Sequence, residues 1–212
     1  MAIQLEPLTT AHLDAAAAMV AERYRAARAQ IPFLPAAYMD GGAIVPRLRG
    51  QIGHVPGVVA LEDGRPVGFI LSLLVSNRGE RMAYVPDFGH SAERGREYEL
   101  YRLMYAWIAD RWVDNGCFLH AVTLYPHEQA TSAAWFSVGF GLAVMDALRV
   151  VSSPASTQAQ TIPAGIQIRR AQPKDVDSVA TVEFALCRHL AEAPVYLPLV
   201  LDERRATLKE WI

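Results

Sequence analysis

The feature that most limits how this chain can fold is a hairpin signal in its first half. Asp63-Gly64 separates two runs rich in β-branched and other apolar residues, Gly57–Glu62 and Arg65–Val75. Glycine accepts the positive φ that a tight primed turn demands, so the pattern predicts two antiparallel strands joined by a short turn. The fold is therefore expected to contain an antiparallel sheet.

Helical and strand patterns alternate on both sides of this hairpin. Before it, the sequence predicts a strand at Ile3–Leu8, an Ala-rich helix from Ala11 to about Gln30 with Thr10 as N-cap, and a shorter helix within Ala36–Gln51. After it, the predicted elements are a strand at Arg81–Val85, an irregular loop, a helix from about Arg96 to Asn115 closed by Gly116, a strand at Phe118–Leu124, a helix at Gln129–Val138 and a strand at Leu142–Val151. This order predicts an α/β (α+β) fold, with a mixed, mainly antiparallel central sheet flanked by helices and one parallel βα unit.

Composition and charge restrict the partners of such a fold. The hydrophobic fraction of 52% predicts a real core, and the net charge of −2 comes without any run of Lys or Arg. The electrostatic attraction that drives binding to nucleic acid or to anionic membranes is therefore missing. The longest apolar run, Gly68–Val75, is far shorter than the roughly 18 residues of a membrane span. We expect a small-molecule partner, and neither nucleic acid nor membrane.

The N-terminus and the cysteines indicate the compartment. The first residues lack the basic stretch followed by an apolar one that forms a secretory signal. Cys117 and Cys187 each lie alone in an apolar stretch, which is typical of buried free thiols rather than of a zinc site or a disulfide framework. The expected location is the cytoplasm.

An internal repeat indicates a second domain. Ile166–Arg170 resembles Ile3–Pro7 at an offset of 163 positions, and at the same offset Val195–Pro198 falls on the helix-breaking segment Pro32–Pro35. Similarity at this scale indicates two copies of one fold, although two amphipathic helices can also look alike by chance. Between the copies, Ser152–Ala164 carries no charge and is typical of a linker.

The repeat divides the chain into a complete domain at 1–151, a linker at 152–164 and the N-terminal part of an incomplete second copy at 165–212. A strand and two helices cannot close a core without the sheet on which they pack. Either the chain is a fragment of a longer tandem protein, or its last residues complete themselves against the first domain or a second subunit. The unfinished copy and the aromatic helix faces favour a homodimer.

Four segments of the first 151 residues together resemble the GNAT superfamily of N-acetyltransferases. They are the hairpin Asp63–Phe69, the strand end Val85–Phe88, the amphipathic helix that follows, and the segment Ala134–Phe140 with its Trp-Phe-x-x-Gly-Phe pattern. The resemblance implies acetyl-CoA as co-substrate. It places the pantetheine arm between splayed strands, Arg81–Val85 and Phe118–Leu124, and the pyrophosphate within Phe88–Glu97, at a helix N-terminus that suits an anion.

The residues that this resemblance assigns to cofactor binding are Tyr84, Val85, Arg94, Gly95, Arg96 and Glu97. The loop departs from the family pattern, Gln/Arg-x-x-Gly-x-Gly/Ala. With Arg96 at the first position, Glu99 and Tyr101 stand where glycines belong; with Arg94 there, Glu97 and Glu99 do. Acidic residues in a first helical turn stabilise the helix without any ligand, whereas the two arginines are suited to clamp a phosphate.

The acid and base of amine acetylation are not evident in the sequence. Many relatives carry a tyrosine four residues before the Gly-Phe pair as the acid, and here that position is Trp135, whose indole has no useful acidity. The remaining candidates are Tyr125 as acid, and His127 and His90 as a base. Their spacing matches no compact metal motif, so no metal is expected.

Two functional hypotheses follow. The first is an acetyl-CoA-dependent N-acetyltransferase that transfers the acetyl group to a small amine by direct attack in a ternary complex. The second is a catalytically degenerate GNAT module that serves as a structural or ligand-sensing partner of a second acetyltransferase domain, because its loop and its acid are altered.

Overall fold

The computed structural model describes residues 2–77, 80–148, 163, 165–192 and 208. The chain divides into two compact units, one of Met1–Ser76 with Glu80–Ala147 and the other of Asn77–Gly79 with Leu148–Ile212. All of the candidate site residues belong to the first unit.

The predicted hairpin is present and forms the middle of a four-stranded sheet. Asp63 and Gly64 have φ of 50° and 77°, as a tight primed turn requires. Its strands are β1 Gln4–Pro7, β2 Gly57–Glu62, β3 Arg65–Leu71 and β6 His90–Ala92. They lie in the order β1-β2-β3-β6, and each neighbouring pair is antiparallel.

A three-stranded sheet in the order β4-β5-β7 contains the parallel pair. Its strands are β4 Leu73–Asn77, β5 Glu80–Val85 and β7 Leu119–Val122. β5 and β7 run parallel, with Met82 opposite Leu119 and Val85 opposite Val122. The mixed, mainly antiparallel sheet predicted from the sequence is therefore confirmed.

The long apolar run after the hairpin forms two strands, which are separated at Ser72. This buried side chain donates to the carbonyl of Pro56 (3.1 Å) and accepts from Nε1 of Trp112 (2.7 Å). Opposite the end of β3, the loop between β5 and β6 bends at Gly89, whose carbonyl accepts from the amide of Leu71. A Cβ there would lie 2.5 Å from the carbonyl oxygen of Leu71, so only glycine fits.

Four helices cover the sheets of the first unit. They are α1 Leu13–Gln30 and α2 Gly41–Arg49, each preceded by a 3₁₀ turn, then α3 Glu97–Asp114 and α4 Gln129–Phe136. The helix predicted from Ala11 begins as a 3₁₀ turn at Thr10 and becomes α-helical at Leu13, and the N-cap of the turn is Thr9 rather than Thr10. Gly116 ends α3 with φ of 74°, as predicted.

The core lies on both sides of the antiparallel sheet. Val59 and Phe69 pack with α1 and α2, whereas Val58 and Ile70 pack with α3 and α4. Because neighbouring residues of a strand point to opposite faces, these alternating side chains place one helix pair on each face.

The predicted strand Leu142–Val151 is not formed in its described part. Residues 141–148 have no regular structure, and Leu142, Val144 and Met145 are between 71% and 77% exposed. A strand needs a neighbour that takes its backbone hydrogen bonds and covers its apolar side chains. The exposed side chains show that this segment has no such neighbour among the described residues.

In the second unit the helix α5 Val176–Ala191 follows a 3₁₀ turn at Pro173–Asp175. Both elements begin 163 positions after their counterparts in the first unit, Leu13 and Thr10. Residues 166–170, predicted to mirror β1, form no strand. Val195–Pro198 and nearly all of the predicted linker lie outside the described residues, so a second copy at 165–212 stays a prediction.

Candidate functional site

The parallel strands β5 and β7 part after Val85. The amide of Thr123 donates to the carbonyl of Val85 (2.9 Å) as the last bond between them. From there β6 continues alongside β3, with His90 opposite Ile70, whereas the chain after Thr123 turns towards α4. One edge of β6 therefore faces away from its sheet, towards the gap between the diverging strands.

The hydrogen bonds of β6 identify which backbone groups face this gap. Leu71 donates to the carbonyl of Gly89 (2.6 Å), and Glu93 donates to that of Val67 (2.8 Å). Backbone groups alternate in direction along a strand, so those of His90 and Ala92 point away from β3. This edge has the polar groups that an extended amide-containing ligand needs.

The gap lies further along the chain than the sequence indicated. Arg81–Val85 and Phe118–Leu124 were expected to splay, but their central parts form the paired strands β5 and β7. The hydroxyl of Tyr84 lies 2.8 Å from that of Thr123, and the carbonyl of Val85 is already used. Tyr84 and Val85 are thus poorly placed as cofactor residues, because β5 lies between two partner strands.

The side chain of His90 is completely buried and reaches from β6 to the chain just after β7. Its Nε2 lies 2.9 Å from the carbonyl oxygen of Thr123, and its Nδ1 lies 2.8 Å from the hydroxyl of Tyr101. Because a carbonyl only accepts, Nε2 carries the proton and Nδ1 accepts from Tyr101. Burial, and then the charge of Arg23, lower the pKa of His90 well below its usual value. His90 is neutral with both nitrogens in use, so it does not suit the base role predicted for it.

A buried ion pair ties together the elements around the gap. Arg23 of α1 and Glu128, just before α4, form two hydrogen bonds, Nε–Oε1 at 2.5 Å and Nη2–Oε2 at 2.8 Å. Nη1 of Arg23 also donates to the carbonyls of Asp87 and His90. Both charged side chains are only 10% exposed. Burial alone would lower the pKa of Arg23, but the bond to Glu128 raises it, so the guanidinium stays charged.

Sequence reasoning missed Arg23, although a signal was present. Val20 and Tyr24 belong to the buried stripe of α1, and a charged residue beside such a stripe needs a buried partner. The partner could not be named, because Glu128 lies 105 positions away.

Tyr125 and His127 lie together beside the gap. The hydroxyl of Tyr125 donates to Oδ2 of Asp87 (3.1 Å), and its ring stacks on that of His127 with centroids 5.9 Å apart. Burial, and then the neighbouring Asp87, raise the pKa of Tyr125, so this phenol holds its proton. Nδ1 of His127 is buried and has no hydrogen-bond partner among the described residues.

Trp135 occupies the position at which many relatives carry the acid. Its side chain is fully buried against Phe140, with ring centroids 4.9 Å apart. Within the described part of the chain, its Nε1 makes no hydrogen bond. A buried donor without a partner is costly, so this N–H is an unfavourable feature of the core around Trp135.

The loop before α3 carries an ion-pair network on the surface. Arg96 contacts Glu62, Glu93 and Glu99 at 3.0 to 3.2 Å. Arg65 lies 2.9 Å from Glu93, and this hydrogen bond is the main cause that lowers the pKa of Glu93. The guanidinium of Arg96, which the sequence assigned to phosphate binding, is therefore already paired with carboxylates that a phosphate would have to displace.

Two other loop residues keep the geometry of an anion site. Gly95 has φ of 85° and no side chain to block an approaching ligand. Arg94 is exposed and forms no ion pair with any described residue. The first turn of α3 contains Glu97 and Glu99, which neutralise part of the helix dipole. Arg94 is thus the loop cation available for an anionic ligand.

Neither a metal cluster nor a membrane span is found in the part of the chain that is described. No group of three or more His, Cys, Asp or Glu side chains there is placed to hold a metal ion. No described helix combines the length and the apolar character needed to cross a bilayer.

No protein-family model and no curated protein matches the chain, but solved structures do. A GCN5-related N-acetyltransferase from Ralstonia eutropha JMP134 is 14% identical with a TM-score of 0.52, covering 70% of this chain and 99% of that one. An aminoglycoside acetyltransferase from an uncultured soil metagenomic sample is 15% identical with a TM-score of 0.51, covering 72% and 100%. A ribosomal-protein-alanine N-acetyltransferase from Brucella melitensis biovar Abortus 2308 is 10% identical with a TM-score of 0.51, covering 71% and 100%.

Proposed function

Since the chain has the fold of the GNAT N-acetyltransferases, we propose that it is an acetyl-CoA-dependent N-acetyltransferase. It transfers the acetyl group to a small amine, which attacks the thioester directly in a ternary complex. The observation that carries this proposal is the outer edge of β6, where the amide of His90 and the backbone groups of Ala92 face the gap between the diverging strands, while the carbonyl of His90 accepts from Arg23.

The residues around the gap fit the parts of acetyl-CoA. The amide groups of a pantetheine arm are suited to pair with the β6 edge as an added strand would. Beyond that edge, Gly95 permits close approach, and Arg94 with the first-turn amides of α3 suits a pyrophosphate. When bound, acetyl-CoA supplies an activated acyl group.

Calorimetry tests the proposal directly. Acetyl-CoA and CoA are titrated into the full chain and into Arg94→Ala, which we expect to weaken binding about tenfold, because a charge-assisted phosphate contact is lost. Arg102→Ala is the matched control, since Arg102, which lies on α3, also carries a guanidinium but stacks on Tyr98. Absence of heat at millimolar CoA with folded protein contradicts the proposal. Equal affinities of the two variants contradict the assignment of Arg94.

The surface network favours a second candidate function. Arg96 is held by three carboxylates, and Trp135 replaces the usual acid. Both features are expected of a non-catalytic GNAT module that acts as a structural or ligand-sensing partner of another domain. This candidate gains support if the folded chain acetylates no member of a panel of amino acids, polyamines and aminoglycosides. It is contradicted by acetyl transfer that exceeds the rate without protein.

The predicted homodimer and the predicted cytoplasmic location stay predictions. Light scattering behind size exclusion decides the first, because a dimer has twice the chain mass of 23.3 kDa.

A further inference from the structure

A small cavity lies beside the gap, between α1, α2 and the bend before β6. Its volume is about 10 Å³. Four of its lining residues are aromatic and three are charged; together with two aliphatic side chains they are Val20, Arg23, Tyr24, Tyr38, Ile44, Arg47, Asp87, Phe88 and Tyr125. The cavity shares Arg23, Asp87 and Tyr125 with the site described above, so a molecule bound in it would lie next to that site.

The aromatic rings form walls at large angles to one another. Tyr24 meets Tyr38 edge to face with centroids 5.6 Å apart, and meets Tyr125 in the same manner at 6.4 Å. The hydroxyl of Tyr24 donates to the carbonyl of Pro35 (2.9 Å), which holds this ring in place. Such walls suit an apolar group of a ligand.

One carboxylate of the cavity has no cationic partner. Asp87 accepts a hydrogen bond from Tyr125 through Oδ2 (3.1 Å). The nearby guanidinium of Arg23 contacts the backbone carbonyl of Asp87 instead, and its charge is balanced by Glu128. Among the described residues no ion pair includes Asp87, so its charge is available to a ligand.

One guanidinium of the cavity has no anionic partner. Arg47 of α2 lies over the ring of Tyr38 at 4.4 Å and near that of Phe88 at 5.7 Å, and it donates to the hydroxyl of Tyr38. It forms no ion pair with any carboxylate of the described chain. Arg47 is exposed, so its side chain can leave the rings without breaking a buried contact.

We propose that the acceptor is a zwitterionic amino acid with an apolar side chain, whose ammonium binds Asp87, whose carboxylate binds Arg47 and whose side chain lies on the tyrosine rings. This inference rests on the proposed acetyltransferase function and names its acceptor class. A purely cationic amine would meet the unpaired charge of Arg47, and a purely anionic compound would meet that of Asp87. A ligand with both charges satisfies both groups.

The cavity opens when such a ligand binds. A volume of about 10 Å³ has room for about one water molecule, so Arg47 has to swing away from Tyr38 and Phe88. The guanidinium then exchanges two ring faces for a carboxylate, with which it makes bidentate hydrogen bonds. Arg47 thereby serves as a specificity residue rather than as a fixed wall.

Matched ligands test the proposal without relying on acetyl transfer. Calorimetry compares L-phenylalanine with 2-phenylethylamine, which lacks the carboxylate, and with 3-phenylpropanoate, which lacks the ammonium. A second series uses L-leucine, 3-methylbutylamine and 4-methylpentanoate. Each titration is made without and with saturating CoA. In at least one series we expect the amino acid to bind at least tenfold more tightly than both analogues.

Two variants assign the charges. Arg47→Met is expected to weaken the amino acid about tenfold and to leave the amine unchanged, whereas Asp87→Asn weakens both and leaves the carboxylic acid unchanged. Arg102→Met is the control for loss of a surface guanidinium, and thermal unfolding confirms that each variant is folded. A structural role alone would not separate the three ligands in this way.

The outcomes separate this inference from the proposed function. Tighter binding of the amines than of the amino acids overturns the acceptor class. Binding of acetyl-CoA without binding of any acceptor probe overturns the inference but leaves the proposed function standing. If the folded chain binds neither acetyl-CoA nor an acceptor probe, both are wrong.

Discussion

Arg23 and Arg96 both pair with glutamates, but one pair is inside the molecule and the other network is on its surface. Arg23 and Glu128 are each 10% exposed and form two parallel hydrogen bonds. The side chain of Arg96 is 27% exposed, and Glu99 next to it is 51% exposed. Identical chemistry therefore serves two purposes. The buried pair positions the walls of the site, whereas the exposed network only arranges charge along the loop.

The first prediction breaks the buried pair and carries the largest effect. Glu128→Ala leaves the guanidinium of Arg23 buried without a counter-charge, and we expect the free energy of unfolding to fall by about 3–5 kcal/mol. Urea unfolding monitored by fluorescence measures the change. Glu99→Ala removes a carboxylate from the exposed network instead and is the matched control. If both substitutions have equally small effects, the buried pair does not hold the site together.

The second prediction uses pH to distinguish the two regions. Burial lowers the pKa of His90 in the folded protein, so below pH 6.5 the unfolded chain binds a proton at this residue that the folded chain does not. Stability is then lost as the pH falls from 6.5 to 5, by up to about 1.4 kcal/mol per pH unit. His90→Gln is expected to flatten this slope, because Gln does not titrate.

The surface region has a lower pH window. Arg65 lowers the pKa of Glu93 in the folded state, so the stabilisation by Glu93 is present above its ordinary pKa and is lost as the pH falls below about 4.5. Denaturant titrations of the parent and His90→Gln from pH 7 to 4 separate the two windows. An unchanged slope between pH 6.5 and 5 in the variant would show that another group titrates there.

The third prediction concerns the exposed network and is the smallest in stability. Arg96→Ala is expected to change the unfolding midpoint far less than Glu128→Ala does, and raising the salt concentration from 0.05 to 1 M should reduce the difference further. The affinity for CoA should change by less than about threefold, because Arg96 is already paired. A tenfold loss of affinity, like that expected for Arg94→Ala, would mean that Arg96 leaves its glutamates to bind phosphate.

Several elements of the fold were predictable because their signals are local. Asp63-Gly64 adopts the turn that its residue types favour, and the apolar spacing before Gly116 forms α3 within one residue of the predicted bounds. The strand β6 was missed, because His90–Ala92 is too short to show an alternating pattern. It is a strand only because it pairs with β3. The division at Ser72 was missed as well, since it depends on Pro56 and Trp112.

The site was predictable in its parts but not in its contacts. Tyr125, His127 and His90 were named from their positions at a strand end and in the opposing loop, and the structure places all three around the gap. Their partners come from distant segments: Arg23 from α1, and Tyr101 from α3. No pattern in the sequence states that His90 is fully buried, and burial is the main cause that lowers its pKa.

The sequence by itself determined the hairpin, the bounds of α3 and the residues from which the loop before α3 is built, because these depend on backbone preferences and on the spacing of apolar side chains. Tertiary structure alone decided which charges are paired and which are free. Arg23 meets Glu128 and Arg96 meets Glu62, while Arg94, Arg47 and Asp87 stay without an ionic partner among the described residues. The reason is physical: pairing and burial are properties of the packed surfaces that bring distant segments together, and those surfaces exist only in the folded chain.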